Sequence, residues 1–181
     1  MEIEIKAKVK EFANILKKLK SLGFKYCGKK HQVDTYYSLY KRPLKKKKGQ
    51  VLRVRHDKLS GKTRLEFHVP KNDMAANEYE VEVGDLKIIL KILALMKAKQ
   101  EFVIEKQRRI YEKGKLEVAL DEVKELGKFV EVEIEGRDTL KNRQAVKGLL
   151  QKLGISKKDY LIGLHYNILR LSKQGKKYAY F

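Results

Sequence analysis

Charged and apolar residues alternate strictly at the start of the chain. The even positions from Glu2 to Lys6 are charged, and the odd positions from Ile3 to Ala7 are apolar. A period of two is the spacing of side chains on a β-strand, because successive residues point to opposite faces. The pattern therefore predicts a strand over residues 1–9 with one charged face and one apolar face.

The next residues change to a helical period. Phe12, Ile15 and Leu19 recur every three or four positions, and Gly23 follows as a stop signal, which predicts a helix over 10–22. Further helices are predicted at 85–99, 139–153 and 157–171, and further strands at 31–40, 50–56, 63–69, 78–83, 102–111, 115–123 and 128–135.

The opening pattern recurs in the second half of the chain. Residues 78–83 resemble residues 2–6, and each segment is followed by a predicted helix and another strand, about 76 residues apart. We interpret this as two related halves of one domain, because the series is too short for a solenoid. The 181 residues predict a single domain over 1–171, with a loop at 41–49 and a basic tail at 172–181.

The strands determine the expected fold class. About eight strands, joined mostly by short turns, predict a largely antiparallel α+β fold. For any single strand, the ordinary explanation of a charged face is contact with solvent. Considered together, the apolar faces suit coverage by the helices, so the strands would close into a barrel with its charged faces inward. These charged faces comprise Glu2, Glu4 and Lys6; Arg53 and Arg55; Lys106 and Arg108; and Glu131, Glu133 and Glu135.

Such an interior would not form a dry core, because unpaired buried charges cost several kcal/mol each. A barrel of about eight strands is wide enough for one small ligand. Carboxylates bind Mg²⁺ or Mn²⁺, and lysine and arginine bind phosphate oxygens. The pattern therefore predicts a wet tunnel for a polyanion together with a divalent cation.

The amino-acid composition excludes several classes of protein. A hydrophobic fraction of 43% excludes a disordered chain. The net charge of +20 attracts phosphates or nucleic acid, although enrichment in lysine and glutamate is also typical of hyperthermophilic proteins. The single cysteine, Cys27, excludes internal disulfides and zinc sites built from paired cysteines. No segment resembles a signal peptide or a membrane span, so the expected location is the cytoplasm.

The charged motifs occur in the order of a known family. Glu2-x-Glu4-x-Lys6 resembles the ExExK signature of the CYTH, or triphosphate tunnel metalloenzyme, family, which includes class IV adenylyl cyclases, thiamine triphosphatases and inorganic triphosphatases. The resemblance extends over residues 1 to about 165 through Gln32-Val-Asp34-Thr-Tyr36-Tyr37, Leu52-Arg53-Val-Arg55, Lys106-Gln-Arg108-Arg109-Ile-Tyr111, Leu120-Asp121-Glu-Val123, Gly127-Lys-Phe129-Val-Glu131-Val-Glu133 and Asp159-Tyr160-Leu.

This resemblance implies a closed eight-stranded antiparallel tunnel with helices outside, and it implies roles for individual residues. Lys6 would orient or deprotonate an attacking water as the catalytic residue. The implied metal ligands are Glu2, Glu4, Glu131 and Glu133, with Asp121 and Glu80 as further acidic candidates. The implied triphosphate-binding cations are Lys6, Arg53, Arg55, Lys106 and Arg108.

One position departs from the family pattern. The family usually has Thr-Tyr-Lys-Gly-Pro before the midpoint, whereas this chain has Glu66-Phe67-His68-Val69-Pro70. His68 would therefore replace a triphosphate-binding lysine. A neutral imidazole offers one hydrogen-bond donor and little charge at pH 7. The departure therefore affects both the expected affinity for a triphosphate and the expected identity of the substrate. In another strand register, His68 would lie beneath a helix instead.

Three functions are compatible with the sequence. The first is metal-dependent hydrolysis of ATP, thiamine triphosphate or tripolyphosphate, which is favoured because it needs no base-specific pocket. The second is a class IV adenylyl cyclase reaction, in which the ribose 3′-hydroxyl of ATP attacks the α-phosphorus and pyrophosphate leaves. The third is non-catalytic binding of polyphosphate or RNA, which would not use the carboxylates. No membrane partner is expected, and a monomer and a homodimer are both compatible with the sequence.

Overall fold

Nine β-strands and three α-helices form the described part of the chain, which in this computed structural model comprises residues 1–38 and 50–161. The helices are α1 (Ala13–Ser21), α2 (Leu86–Leu95) and α3 (Leu140–Lys152). The strands are β1 (Glu2–Val9), β2 (Lys25–Ser38), β3 (Val51–Asp57), β4 (Thr63–Pro70), β5 (Ala75–Val83), β6 (Lys99–Lys113), β7 (Leu116–Val123), β8 (Gly127–Glu135) and β9 (Tyr160–Leu161).

Strands β1 to β8 close into an antiparallel barrel. Their order is β5-β4-β3-β2-β6-β7-β8-β1, and a short pairing of Glu2 and Ile3 with Ala76 and Ala75 joins β1 to β5. The same edge of β1 pairs further along with the two-residue strand β9. The structure thus confirms the predicted α+β fold with a closed eight-stranded antiparallel barrel.

The connectivity is the same in the two halves of the barrel. The first half runs β1-α1-β2-β3-β4 and the second runs β5-α2-β6-β7-β8. Exchanging the two halves leaves the circular order of the strands unchanged. This shared connectivity favours the interpretation of two related halves, which stays a prediction.

The helices cover the apolar outer faces of the strands. Ile5 of β1 shares one core cluster with Leu19 of α1 and Leu150 of α3. Across the barrel, Ile89 of α2 shares another cluster with Val54 of β3. Full burial of such a side chain contributes about 1.5–3 kcal/mol, so these outer layers supply much of the hydrophobic stabilisation. None of the helices in the described ranges is long and apolar enough to cross a membrane.

Several boundaries differ from the sequence prediction. β2 and β6 begin at Lys25 and Lys99, earlier than expected, because they pair with each other along thirteen positions. Local alternation is weak in these polar segments, so only the long-range pairing reveals the strands. α2 ends at Leu95, and Lys97 adopts a left-handed φ of 59° that does not continue a helix.

The prediction of a helix over 157–171 is wrong for residues 157–161, the part of this range that the structure describes. Lys157–Asp159 forms a 3₁₀ turn and Tyr160–Leu161 forms β9, because Leu161 and Tyr160 pair with β1. The predicted loop at 41–49 and the predicted tail at 172–181 lie outside the described residues.

Candidate active site in the barrel interior

The barrel encloses a cavity of about 390 Å³ whose wall is mostly charged. Each of the eight barrel strands contributes to this wall, since alternate residues of a strand point to the same side. Eight glutamates and seven lysine or arginine residues line the cavity: Glu2, Glu4, Glu78, Glu80, Glu117, Glu131, Glu133 and Glu135, and Lys6, Lys30, Arg53, Arg55, Arg64, Lys106 and Arg108.

Eleven of the twelve residues selected from the sequence line this cavity. The exception is Asp121, which is 0% exposed and lies behind the wall. Its two carboxylate oxygens accept hydrogen bonds of 2.7 Å from Arg108. The structure therefore brings the selected residues into one site, while their individual roles stay predictions.

Three carboxylates form a cluster suited to a divalent cation. Glu4, Glu131 and Glu133 each offer an oxygen, and these oxygens lie within 4.8 Å of one another. The cluster forms because β1 and β8 are paired neighbours, with Glu4 directly opposite Glu133. Opposite ligands of an octahedral Mg²⁺ are about 4.2 Å apart, so small side-chain shifts would bring the oxygens into coordination distance.

Repulsion among the carboxylates also indicates that the cluster is suited to a divalent cation. Burial, followed by repulsion from Glu78 and Glu4, raises the pKa of Glu2 to about 8. Burial and repulsion from Glu131 likewise raise the pKa of Glu133 well above its usual range. A divalent cation would relieve this repulsion, and oxygen ligands suit Mg²⁺ or Mn²⁺.

The other acidic candidates lie outside the three-carboxylate cluster. Glu80 forms an ion pair of 2.8 Å with Arg64, and Asp121 is held by Arg108. Glu2 lies near enough to Glu4 for their charges to interact, but it does not belong to the group whose oxygens converge.

Lys6 lies between two carboxylates of the cluster. Its ammonium Nζ contacts Glu4 Oε2 and lies 3.1 Å from Glu131 Oε2. Burial by itself lowers the pKa of Lys6, but Glu131 and Glu4 outweigh burial and the pKa is raised overall. Lys6 is therefore held in its protonated form.

Arg108 and Lys106 are held by carboxylates from the neighbouring strands. Arg108 Nη2 donates a hydrogen bond of 2.9 Å to Glu131 in addition to its two bonds to Asp121. Lys106 Nζ lies 3.7 Å from Asp121 Oδ2. Burial and the adjacent Arg108 charge lower the pKa of Lys106 to about 8. Lys106 therefore loses its proton more readily than an ordinary lysine does.

Two buried carboxylates that the sequence analysis did not select hold the arginines of β3. Arg55 donates hydrogen bonds of 2.7 and 2.8 Å to the two oxygens of Asp34. Arg53 Nε donates to Glu66 Oε2, and Arg55 Nη1 lies 3.4 Å from Glu66 Oε1. Burial raises the pKa of Asp34, but Arg55 more than offsets this, and the pKa is lowered overall. Both arginines are thus fixed in place before any ligand binds.

Alternation along the strands was the signal that could have found these residues. Asp34 has the same parity as Gln32 on β2, and Glu66 has the same parity as His68 on β4, so all four point inward. The same rule would have selected Lys30, Arg64, Glu78 and Glu117, whereas Glu135 was already placed on a predicted inward face.

His68 faces the cavity, so the alternative register that places it beneath a helix is wrong. It lies opposite Val51 and Glu78 on the neighbouring strands, and its Nε2 lies 3.7 Å from Glu78 Oε1. Burial lowers the pKa of His68, and Arg53 also lowers it, against an opposing effect of Glu78. The imidazole is therefore mostly neutral at pH 7.

Apolar side chains fill one end of the barrel. Tyr36 and Val51 belong to a buried cluster with Phe102, Leu126 and Phe129. The rings of Tyr36 and Phe102 lie 4.8 Å apart between centroids. The cluster lies where β2 and β7 end and β3, β6 and β8 begin. Beyond it, the described part of the cavity wall offers few apolar side chains.

A closed antiparallel barrel with carboxylates and cations on its inner face defines a class of protein with a charged central tunnel. The CYTH domain family matches residues 1–162 of the chain. The chain belongs to the CYTH family, which includes adenylyl cyclases and triphosphatases.

Individual relatives agree with this assignment. A Methanocaldococcus jannaschii protein, provisionally named as an adenylate cyclase, is 31% identical over 94% of this chain and 98% of its own length. The PH1012 protein of Pyrococcus horikoshii has a similar structure, with a TM-score of 0.81, 26% identity and coverage of 92% of this chain and 97% of that chain. HpAC1 of Hippeastrum, described as having a dominant triphosphatase activity, shares the fold at a TM-score of 0.63, 18% identity and 98% coverage of both chains.

Proposed function

We propose that this chain is a divalent-metal-dependent triphosphatase. One observation carries the proposal: a three-carboxylate cluster and five buried or half-buried cations face one cavity of about 390 Å³. Carboxylates alone would repel a triphosphate, and cations alone would not require the cluster. Their combination suits a metal–triphosphate complex, in which the metal and the cations share the phosphate oxygens.

Each group of residues has a proposed role in this reaction. Glu4, Glu131 and Glu133 would hold Mg²⁺ or Mn²⁺, with Glu2 beside them and with Asp121 and Glu80 as supporting carboxylates. The metal, when bound, would neutralise charge on the phosphate oxygens. The triphosphate oxygens would be bound by Lys6, Arg53, Arg55, Lys106 and Arg108, with His68 contributing a hydrogen bond.

The chemical step would be attack of water on a terminal phosphorus. The new bond forms between the water oxygen and phosphorus, the bridging phosphorus–oxygen bond breaks, and a diphosphate leaves with the electron pair of that bond. The proton lost by the water passes to a nearby carboxylate or to solvent. The raised pKa of Lys6 favours orientation of the water by its ammonium group over removal of the proton by Lys6.

The cavity wall favours hydrolysis over cyclisation. Besides its charged residues, the wall contains only Met1, Gln32, Tyr36, Val51 and His68 within the ranges the structure describes. Recognition of a nucleobase usually relies on apolar or aromatic surface, and the apolar cluster around Tyr36 is already packed. A triphosphate group needs no such surface.

A class IV adenylyl cyclase activity is the second candidate. It is favoured by the M. jannaschii relative, which is 31% identical over nearly its whole length and is provisionally named as an adenylate cyclase. The phosphate-binding requirements are nearly the same for both reactions. They differ in whether water or the ribose 3′-hydroxyl attacks.

The deciding experiment uses the full chain with tripolyphosphate, thiamine triphosphate and ATP in turn, each with Mg²⁺ or Mn²⁺. Separation of the products by ion-exchange chromatography distinguishes phosphate and diphosphates from cyclic AMP. We expect phosphate release that requires metal and is abolished by EDTA. Cyclic AMP with pyrophosphate would support the cyclase instead, and tight binding without any product would overturn both enzymatic proposals.

A further inference from the structure

The outer side of the barrel carries a large exposed apolar surface. It is formed by one strand and the helix that follows it, and we call it the β5–α2 surface. Leu95 is 74% exposed and Tyr79 is 60% exposed, whereas the opposite side of α2 is buried through Ile89. The six residues of the surface are Tyr79, Val81, Ile88, Ile92, Leu95 and Met96.

These residues lie on two elements that flank the same strand, β4. On α2, Ile88, Ile92 and Leu95 are spaced four and three residues apart, so they share one face of the helix. On β5, Tyr79 and Val81 lie opposite Phe67 and Leu65 of β4. Both β4 residues pack against the cluster that contains the buried side of α2. The strand and helix portions therefore both adjoin the outer face of β4.

The area of this surface exceeds what a monomer usually exposes. A large apolar side chain has on the order of 200 Å² of surface, so the six residues expose about 700 Å² at their observed fractions. The largest apolar patch on a monomer is about 300–600 Å². A stable interface buries about 800 Å² on each partner, which this surface reaches once its polar rim is included.

The charges around the surface are complementary to each other. α2 carries Lys87 and Lys91 and has no acidic residue. β5 has no basic residue. Two of its three glutamates, Glu78 and Glu80, line the cavity, whereas Glu82 is largely exposed beside Lys62. A two-fold axis that places α2 of one chain on β5 of another would bring Lys87 and Lys91 next to Glu82 at two equivalent places.

Among residues 1–38 and 50–161, most of one edge of β5 has no strand partner at this surface. Only Ala75 and Ala76 of β5 pair with β1, whereas all residues from Thr63 to Pro70 of β4 pair along its other side. Edge strands with exposed apolar side chains are common association sites. From the area, the charges and this edge, we propose that the β5–α2 surface is a two-fold interface between two copies of this chain.

Sedimentation velocity on the full chain at about 50 µM, in 0.15 M and 0.5 M NaCl, tests the proposal. The expected species has twice the mass of the chain at both salt concentrations, because apolar burial rather than charge supplies most of the association energy. Leu95→Glu places a charge at the centre of the surface and is expected to raise the dimer dissociation constant at least tenfold. Tyr79→Lys tests the strand portion independently of the helix.

Leu140→Glu is the matched control, because Leu140 is 72% exposed but lies at the start of α3. It is expected to leave the dimer unchanged, and circular dichroism checks that each variant is folded. A monomer at both salt concentrations would overturn the proposal. A dimer that Leu95→Glu and Tyr79→Lys leave intact would also overturn it, since association would then use another surface.

Discussion

Each of the five cations proposed to bind triphosphate lies within 4 Å of a carboxylate before any ligand arrives. Arg55 is held by Asp34, Arg108 by Asp121, and Lys6 by Glu131. Such pairs fix long side chains in one rotamer and so reduce the entropy lost when a ligand binds. They also mean that a triphosphate has to compete with carboxylates. A metal bound by Glu4, Glu131 and Glu133 would remove part of that competition.

At the residue scale, Glu4→Gln is expected to abolish metal-dependent activity without unfolding the protein. Glutamine keeps the shape but removes an anionic ligand, so Mn²⁺ affinity measured by isothermal titration calorimetry should fall at least about tenfold. Glu2→Gln should also lower activity, and it should leave the Tm without metal equal or higher because it removes a repelled carboxylate. The control is Glu82→Gln, whose side chain is 58% exposed. Full activity of Glu4→Gln at low Mg²⁺ would contradict the metal assignment.

His68→Lys should tighten triphosphate binding, most clearly above pH 7. Burial and the neighbouring cations lower the pKa of His68, so the imidazole is neutral there, whereas lysine at this position stays charged. The gain is expected to be on the order of 1 kcal/mol, or about fivefold in affinity, because the cavity is already rich in cations.

A comparison of Michaelis constants from pH 6 to pH 9 checks this prediction. The wild type should lose affinity with rising pH relative to His68→Lys, because a bound triphosphate favours the protonated imidazole. His68→Gln, which cannot be protonated, should remove that difference in slope. Parallel curves for the wild type and His68→Lys would show that His68 does not contact the substrate.

At the element scale, α2 depends on a side-chain cap that α1 lacks. Asp85 accepts a hydrogen bond of 3.0 Å from the backbone N–H of Ile88, whereas the N-terminal residue of α1, Phe12, makes no side-chain cap. The cap satisfies one of the four unpaired N–H groups at a helix start. α2 also exposes much of its apolar face, so the cap supplies stability that packing does not.

Asp85→Ala should therefore destabilise the protein by about 1 kcal/mol and lower the Tm by about 2–4 °C. Asp85→Asn keeps an oxygen that can accept the same hydrogen bond, so it should have a Tm close to that of the wild type. Differential scanning calorimetry measures both. Equal losses in the two variants would show that the charge near the helix start, and not the cap, is responsible.

At the scale of the whole molecule, the tunnel interior and the outer surface differ in net charge. The chain has a net charge of +20, yet the cavity wall carries eight glutamates against seven lysine or arginine residues. The buried Asp34, Glu66 and Asp121 add further negative charge behind the wall. The positive excess therefore lies outside the tunnel, and the interior requires protons or a divalent cation for balance.

This balance predicts how stability depends on pH. The pKa of Glu2 is raised from 4.5 to about 8 in the folded protein, so the folded state binds more protons than the unfolded state between these values. Stability must then fall as pH rises through this window. In EDTA, the Tm is expected to fall by about 5 °C between pH 5.5 and pH 8.

Added Mg²⁺ or Mn²⁺ should raise the Tm more at pH 8 than at pH 5.5, because the metal and protons compete for the same carboxylates. Glu133→Gln should flatten the dependence on pH in EDTA. Thermal shift measurements across the pH range check both statements. A metal-induced shift that is equal at the two pH values would contradict the link between Glu2, Glu133 and metal binding.

The sequence by itself determined which residues face the tunnel. A strand has a period of two whatever surrounds it, so alternation assigned Glu2, Glu4 and Lys6 to one face without knowledge of their neighbours. The same local rule indicated Arg53 and Arg55 on another strand. Because the apolar faces of strands such as β1 and β3 are buried under helices, these local assignments combined into one interior and predicted the fold class.

Only the tertiary structure decided which charges meet. Arg55 and Asp34 lie on different strands, and their pairing depends on the register between β2 and β3, which no local pattern specifies. The early start of β2 at Lys25 and the 3₁₀ turn at Lys157–Asp159 likewise follow from contacts with distant strands. The pKa of Glu2 rises because burial and three other glutamates act on it together. Periodicity is a local property of the backbone, whereas register, burial and charge pairing arise only when distant segments are brought together.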